Sequence, residues 1–99
     1  MENSQEKIMN PSFHQKSYVC IHVFDQSRPV LLVSREDGDW CFLCGDVHPE
    51  SAEHYRVVGL GHVVERDPSL SSILDLSPNE EAERVALGEP WVRTNLEPQ

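Results

Sequence analysis

The sequence predicts an α+β domain, a small antiparallel sheet of about four or five strands with one or two short helices. Three observations point to it. A β-branched and aromatic run, SYVCIHVF, occupies 17–24. Two further apolar runs, beginning at Val30 and Trp40, flank Asp37-Gly38. Two helix-opening signals, Asp67-Pro68 and Ser77-Pro78-Asn79-Glu80, follow later in the chain.

In chain order, residues 1–16 are polar, lack a period and contain Pro11. They read as a loose arm with a few anchoring contacts from Ile8, Met9 or Phe13. A single compact domain is expected over 17–95, because 99 residues suffice for one domain and are too few for two. Alternation in the first run puts Val19, Ile21 and Val23 on one strand face and Tyr18, Cys20, His22 and Phe24 on the other. Val30 to Arg35 and Trp40 to Cys44 then form a hairpin, since both residues of Asp37-Gly38 accept positive φ. Gly45 to His54 is a polar loop. Tyr55 to Val64 is either a strand interrupted by Gly59 and Gly61 or a strand followed by a short helix.

Asp67 then caps a short helix with Pro68 at its first position, burying Leu70, Ile73 and Leu74. A capping-box spacing from Ser77 to Glu80 predicts a second helix over 78–87, burying Ala82, Val85 and Ala86 and ending at Gly88. Trp91 to Thr94 adds a last edge strand.

The formal net charge of −9 argues against nucleic acid, whose phosphates need clustered Lys and Arg, and against an anionic membrane surface. A protein partner with a basic surface gains most from such a field, chiefly in association rate. The plain competing reading is that acidity only maintains solubility. Three cysteines, a polar start from Met1 to Lys7 and no apolar run long enough to span a bilayer predict a cytoplasmic protein with thiols free or metal-bound.

Catalytic signatures are thin. Gly59-Leu60-Gly61-His62 lacks the third glycine and the lysine of a phosphate loop. A cysteine nucleophile paired with one of His14, His22, His48, His54 or His62 needs an electropositive setting, whereas carboxylates raise a thiol pKa. A non-catalytic chain without cofactor is therefore expected. The alternative is a zinc domain in which Cys41-Phe42-Leu43-Cys44-Gly45 pairs with Cys20-Val-His22, giving Cys20, His22, Cys41 and Cys44 as ligands. A regular strand at 40–44 would oppose that set, pointing Cys41 and Cys44 to opposite faces, and cysteine is also an ordinary buried residue.

Between Glu36 and Glu53 stand six carboxylates, Glu36, Asp37, Asp39, Asp46, Glu50 and Glu53, with no Lys or Arg among them. A hairpin tip and its following loop readily display a binding surface. Glu36, Asp37, Asp39 and Asp46 are the expected contacts, with Trp40 as aromatic anchor and Phe42 and Tyr55 nearby. A solvated rim without a partner is the bland alternative.

These residues also carry a likeness. The run RPVLLVSREDGDWCFLCGD, then VVGLGHVVERDPSLSSILDLSPNEEAER, then EPWVR resembles the bacterial immunity protein 33 domain family. The matching positions are Arg35-Glu36, Asp39-Trp40, Gly45-Asp46, Asp67-Pro68-Ser69-Leu70, Ile73-Leu74-Asp75-Leu76 and Glu83-Arg84, within about residues 18 to 94. The resemblance implies a small cytoplasmic α+β domain that binds and neutralises a bacterial toxin, with extended chain where the caps predict a helix over 78–87. The chain departs from the family pattern in a shorter segment between Gly45 and Val57 and in carrying Cys20, Cys41 and Cys44.

Overall fold

A computed structural model describes residues 14–45 and 54–96. Its strands are β1 (Lys16–Cys20), β2 (Leu32–Ser34), β3 (Trp40–Leu43), β4 (Tyr55–Gly59), β5 (Glu80–Glu83) and β6 (Val92–Asn95). Two α-helices, α1 (Ile21–Phe24) and α2 (Leu60–Arg66), each follow a strand directly, and 3-10 segments cover Glu36–Gly38 and Pro68–Ile73. The strands form one sheet in the order β4-β1-β3-β2-β5-β6. The α+β class is as expected; the sheet has six strands instead of four or five. One pairing, β1 with β3, is parallel, and the others are antiparallel.

Register builds the core. Val19 pairs with Phe42, Phe42 with Val33 and Val33 with Ala82, so four central strands contribute one row to one face. All four residues are buried. Val23, Leu60, Val63, Leu70 and Ile73 from the helical segments, and Leu76 from the loop after them, complete the same cluster. Burying this apolar surface is the main term favouring the fold, at about 25 cal/mol per Å².

The hairpin forms as its sequence predicts. Val33 faces Phe42 across β2 and β3, and Asp37 and Gly38 take φ of 55° and 86°. Gly59 ends β4 and stands at the N-cap of α2, which settles the open choice at 55–64 as strand followed by helix. Asp67 caps the next segment by accepting from the Ser69 amide at 3.2 Å, with Leu70 and Ile73 buried as expected, although the segment winds as 3-10.

Two expectations are corrected. The first strand stops at Cys20 and the chain coils into α1. Cys20 is the last residue of β1 that pairs with β4, opposite Tyr55, so a longer strand would lack its ladder there. Local bonds such as Asp25 N–H to the Ile21 carbonyl, 2.9 Å, take over. Val23 stays buried as the core-facing residue of α1.

The helix over 78–87 is absent; β5 occupies its first half. The Glu80 carboxylate does accept from the Ser77 amide at 2.7 Å, as the cap spacing suggests. Asn79, however, has φ of 64°, a left-handed conformation that a right-handed helix does not admit. Pro78 followed by Asn79 at positive φ is the pattern of a type II turn. The open edge of β2 then pairs with residues 81–83. Ala82 is buried, but Val85 is 84% exposed and Ala86 is exposed too, so the apolar stripe assigned to the helix was too short to outweigh a sheet edge.

Candidate functional site

Glu36, Asp37 and Asp39 lie on the exposed turn between β2 and β3. The turn is braced by the residue that precedes β5, the neighbour of β2: the Asp37 amide donates to Asn79 Oδ1 at 2.9 Å, and the Asn79 amide donates to the Arg35 carbonyl at 2.7 Å. Arg35, next in sequence, does not pair with these carboxylates. Its guanidinium lies 4.6 Å from the Trp40 ring centre and donates to the carbonyls of Gly38, 2.9 Å, and Leu76, 3.0 Å. Burial pulls the Arg35 pKa below its ordinary value, with the Asp39 charge opposing. Lys16 has a raised pKa, caused first by Tyr18 and more weakly by Asp39.

Trp40 is not the aromatic anchor expected of it. It is 3% exposed, stacks with Phe42 at 6.0 Å between ring centres, and is capped by Arg35. The cause is strand alternation on a central strand: β3 sends Trp40 and Phe42 to the core face, and Phe42 is likewise buried. Tyr55 is half-buried. Asp46, Glu50 and Glu53 lie outside the described residues, as do the anchoring residues expected in the arm.

The four residues of the alternative zinc set divide three to one. Cys20, His22 and Cys44 present their sulfur and ring-nitrogen atoms all within 4.8 Å of one another, with Cys20 and Cys44 buried and His22 half-buried. Cys44 Sγ and His22 Nδ1 are 3.6 Å apart. Cys41 does not join them, because it alternates to the opposite face, between Tyr18 of β1 and Ser34 of β2. Burial raises the Cys20 thiol above its ordinary value, while the amides of Val23 and Cys44 pull it down. Cys41 is raised by burial first and then by Asp39 and Glu36, an environment opposed to a nucleophilic thiolate.

Parallel pairing makes the triad. β1 and β3 run the same way, so their C-terminal ends meet at one end of the sheet, with Cys20 closing β1 and Cys44 following β3. α1 begins at the next residue and turns His22 back toward both sulfurs. Spacing in the sequence suggests the residue types but contains no sign of a parallel pair, which is why Cys41 looked as eligible as Cys44.

A third feature has no sequence signature. A cavity of about 840 Å³ opens against α1 and α2, lined largely by hydrocarbon from Val19, Val23, Val30, Val58, Val63 and Leu87. Arg28, His62, Arg66 and Asp67 add polar groups to its wall. The Ser69 hydroxyl there donates to Asp67 and accepts from Arg84, so it is not poised against a histidine as a nucleophile.

No family model, curated protein or solved structure matches the chain. The likeness to immunity proteins rests on the motifs quoted above. Among the described residues, no helix is long and apolar enough to cross a membrane.

Proposed function

We propose that the chain is a non-catalytic, immunity-type binding domain that acts in the cytoplasm by covering a basic surface of a bacterial toxin. The observation that carries this reading is the withdrawal of Arg35. Three carboxylates stand exposed on a braced turn, while the adjacent guanidinium bonds carbonyls and covers Trp40. A net charge of −9 extends the attractive field beyond the turn. The family motifs supply the toxin as partner class; the turn supplies the means. With Trp40 buried, contact relies on charge and backbone shape, so association rate is the sensitive quantity.

The test uses the partner captured from the native cell on the immobilised chain, followed by stopped-flow association. A triple variant, Glu36→Lys, Asp37→Asn and Asp39→Lys, keeps a residue tolerant of positive φ at the turn. Association at low salt should slow by about tenfold or more, and the difference should shrink as salt rises. An on-rate unchanged by the triple variant removes the acidic turn from the interface.

A further inference from the structure

We propose that Cys20, His22 and Cys44 form a three-ligand site for a zinc-class cation, with two thiolates and one imidazole as donors and a fourth position open to another ligand. The site goes beyond the toxin-binding reading and is independent of it. The four residues of β3 separate Asp39, at the end of the acidic turn, from Cys44, a rise of about 17 Å over five steps.

Three observations support it. The first is donor chemistry, since two sulfurs and an imidazole nitrogen are the set that selects zinc over harder cations. The second is distance. Zinc bonds of about 2.3 Å to sulfur and 2.0–2.1 Å to nitrogen, at a tetrahedral angle, place the two donors about 3.6 Å apart. Cys44 Sγ and His22 Nδ1 are separated by 3.6 Å. Two sulfurs around the same ion would be about 3.8 Å apart, and all three donor atoms here already lie within 4.8 Å of one another. The third is support by rigid elements. The two cysteines are held at the ends of adjacent central strands, and the histidine sits in the helical turn that follows β1. A site on such elements needs little rearrangement to close on an ion.

Two ordinary arrangements of the same atoms make different predictions. A thiol–imidazole hydrogen bond also fits 3.6 Å, and two neighbouring cysteines can oxidise to a disulfide, each losing one proton and one electron to an external oxidant. Titration of the full, reduced chain with Co²⁺ under anaerobic conditions distinguishes them. The proposal expects one Co²⁺ per chain, with the visible bands of a tetrahedral site, sulfur-to-cobalt charge transfer in the near ultraviolet, and displacement by Zn²⁺. Affinity should fall steeply in acid, because two thiols must release protons to bind. Cys41→Ser should bind as the parent does. His22→Ala, at a half-buried position, should fold and should lose affinity by at least about tenfold. Cys44→Ser should lose the charge-transfer intensity of one sulfur. If Cys44→Ser fails to fold, the parent titration and the Cys41/His22 contrast still decide. Reduced parent protein that binds no Co²⁺, or equal losses in Cys41→Ser and His22→Ala, would each overturn the site.

Discussion

Arg35 and Arg84 are two versions of one device with opposite electrical outcomes. Each guanidinium lies over a tryptophan, Arg35 at 4.6 Å from the Trp40 ring and Arg84 at 4.3 Å from Trp91. Each ties loops together through carbonyl acceptors. Arg84 donates twice to the Val30 carbonyl and once to Ser69 Oγ, and its charge meets Asp67 Oδ2 at 2.9 Å. Arg35 binds two carbonyls, forms no ion pair with a carboxylate among the described residues, and keeps a buried Nε without a partner. At Arg84 an internal acid is neutralised within the fold; at Arg35 the neighbouring acids are left to the solvent. Where an arginine finds its acceptors therefore decides whether adjacent carboxylates are structural or displayed.

Substitutions at three arginines break or sharpen that contrast. The largest effect belongs to Arg84→Ala, which takes the guanidinium from Asp67 Oδ2 and the Val30 carbonyl and uncovers Trp91. A loss of about 3 kcal/mol is expected in urea unfolding. A loss below about 1 kcal/mol would show that the buried pair contributes little. Arg35→Ala should cost less, about 2 kcal/mol for two charge-assisted bonds and the ring contact. Arg35→Lys should recover little of it, because an ammonium lacks the planar fork that reaches both carbonyls while lying on the indole. Equal stability of the lysine and arginine proteins would contradict that geometry.

The smallest effect is at Arg93, whose guanidinium meets Asp75 at 2.7 Å on the exposed side. Arg93→Ala should cost under about 1 kcal/mol at neutral pH. The Asp75 pKa is lowered, chiefly by its hydrogen bond from Arg93. A lowered folded-state pKa means that the contribution is present above the ordinary carboxylate range and is lost as pH falls through the folded value. The parent and Arg93→Ala unfolding curves should therefore converge in acid. A gap that persists at low pH would assign the effect to the Ser72 carbonyl contact instead.

Local signals succeeded where a segment settles its own geometry. Asp37-Gly38 was legible because positive φ at both positions is a property of those residue types, and the distant Asn79 only braces a turn that the local residues already favour. The Asp67 cap was legible for the same reason. The segment at 78–87 was not, although Pro78-Asn79 carried a turn signal beside the cap spacing. The β2 edge, more than forty residues away in the chain, offered ladder bonds that a short amphipathic stripe did not match. Trp40 was misplaced because an aromatic beside an acidic turn suits a contact surface as well as a core, and only its neighbours on both sides in the sheet distinguish the two.

Residue chemistry alone determined the α+β class, the hairpin and its acidic tip, the negative field and the thiol and imidazole donors available to a metal. Tertiary structure decided that β1 and β3 run parallel, which gathers Cys20, His22 and Cys44 at one end of the sheet and leaves Cys41 on the other face. It also decided that Arg35 turns inward over Trp40. The physical reason is the same in both cases. Turn and cap preferences are set by neighbours along the chain, whereas strand direction and guanidinium partners are set by contacts whose sequence separation leaves no local trace.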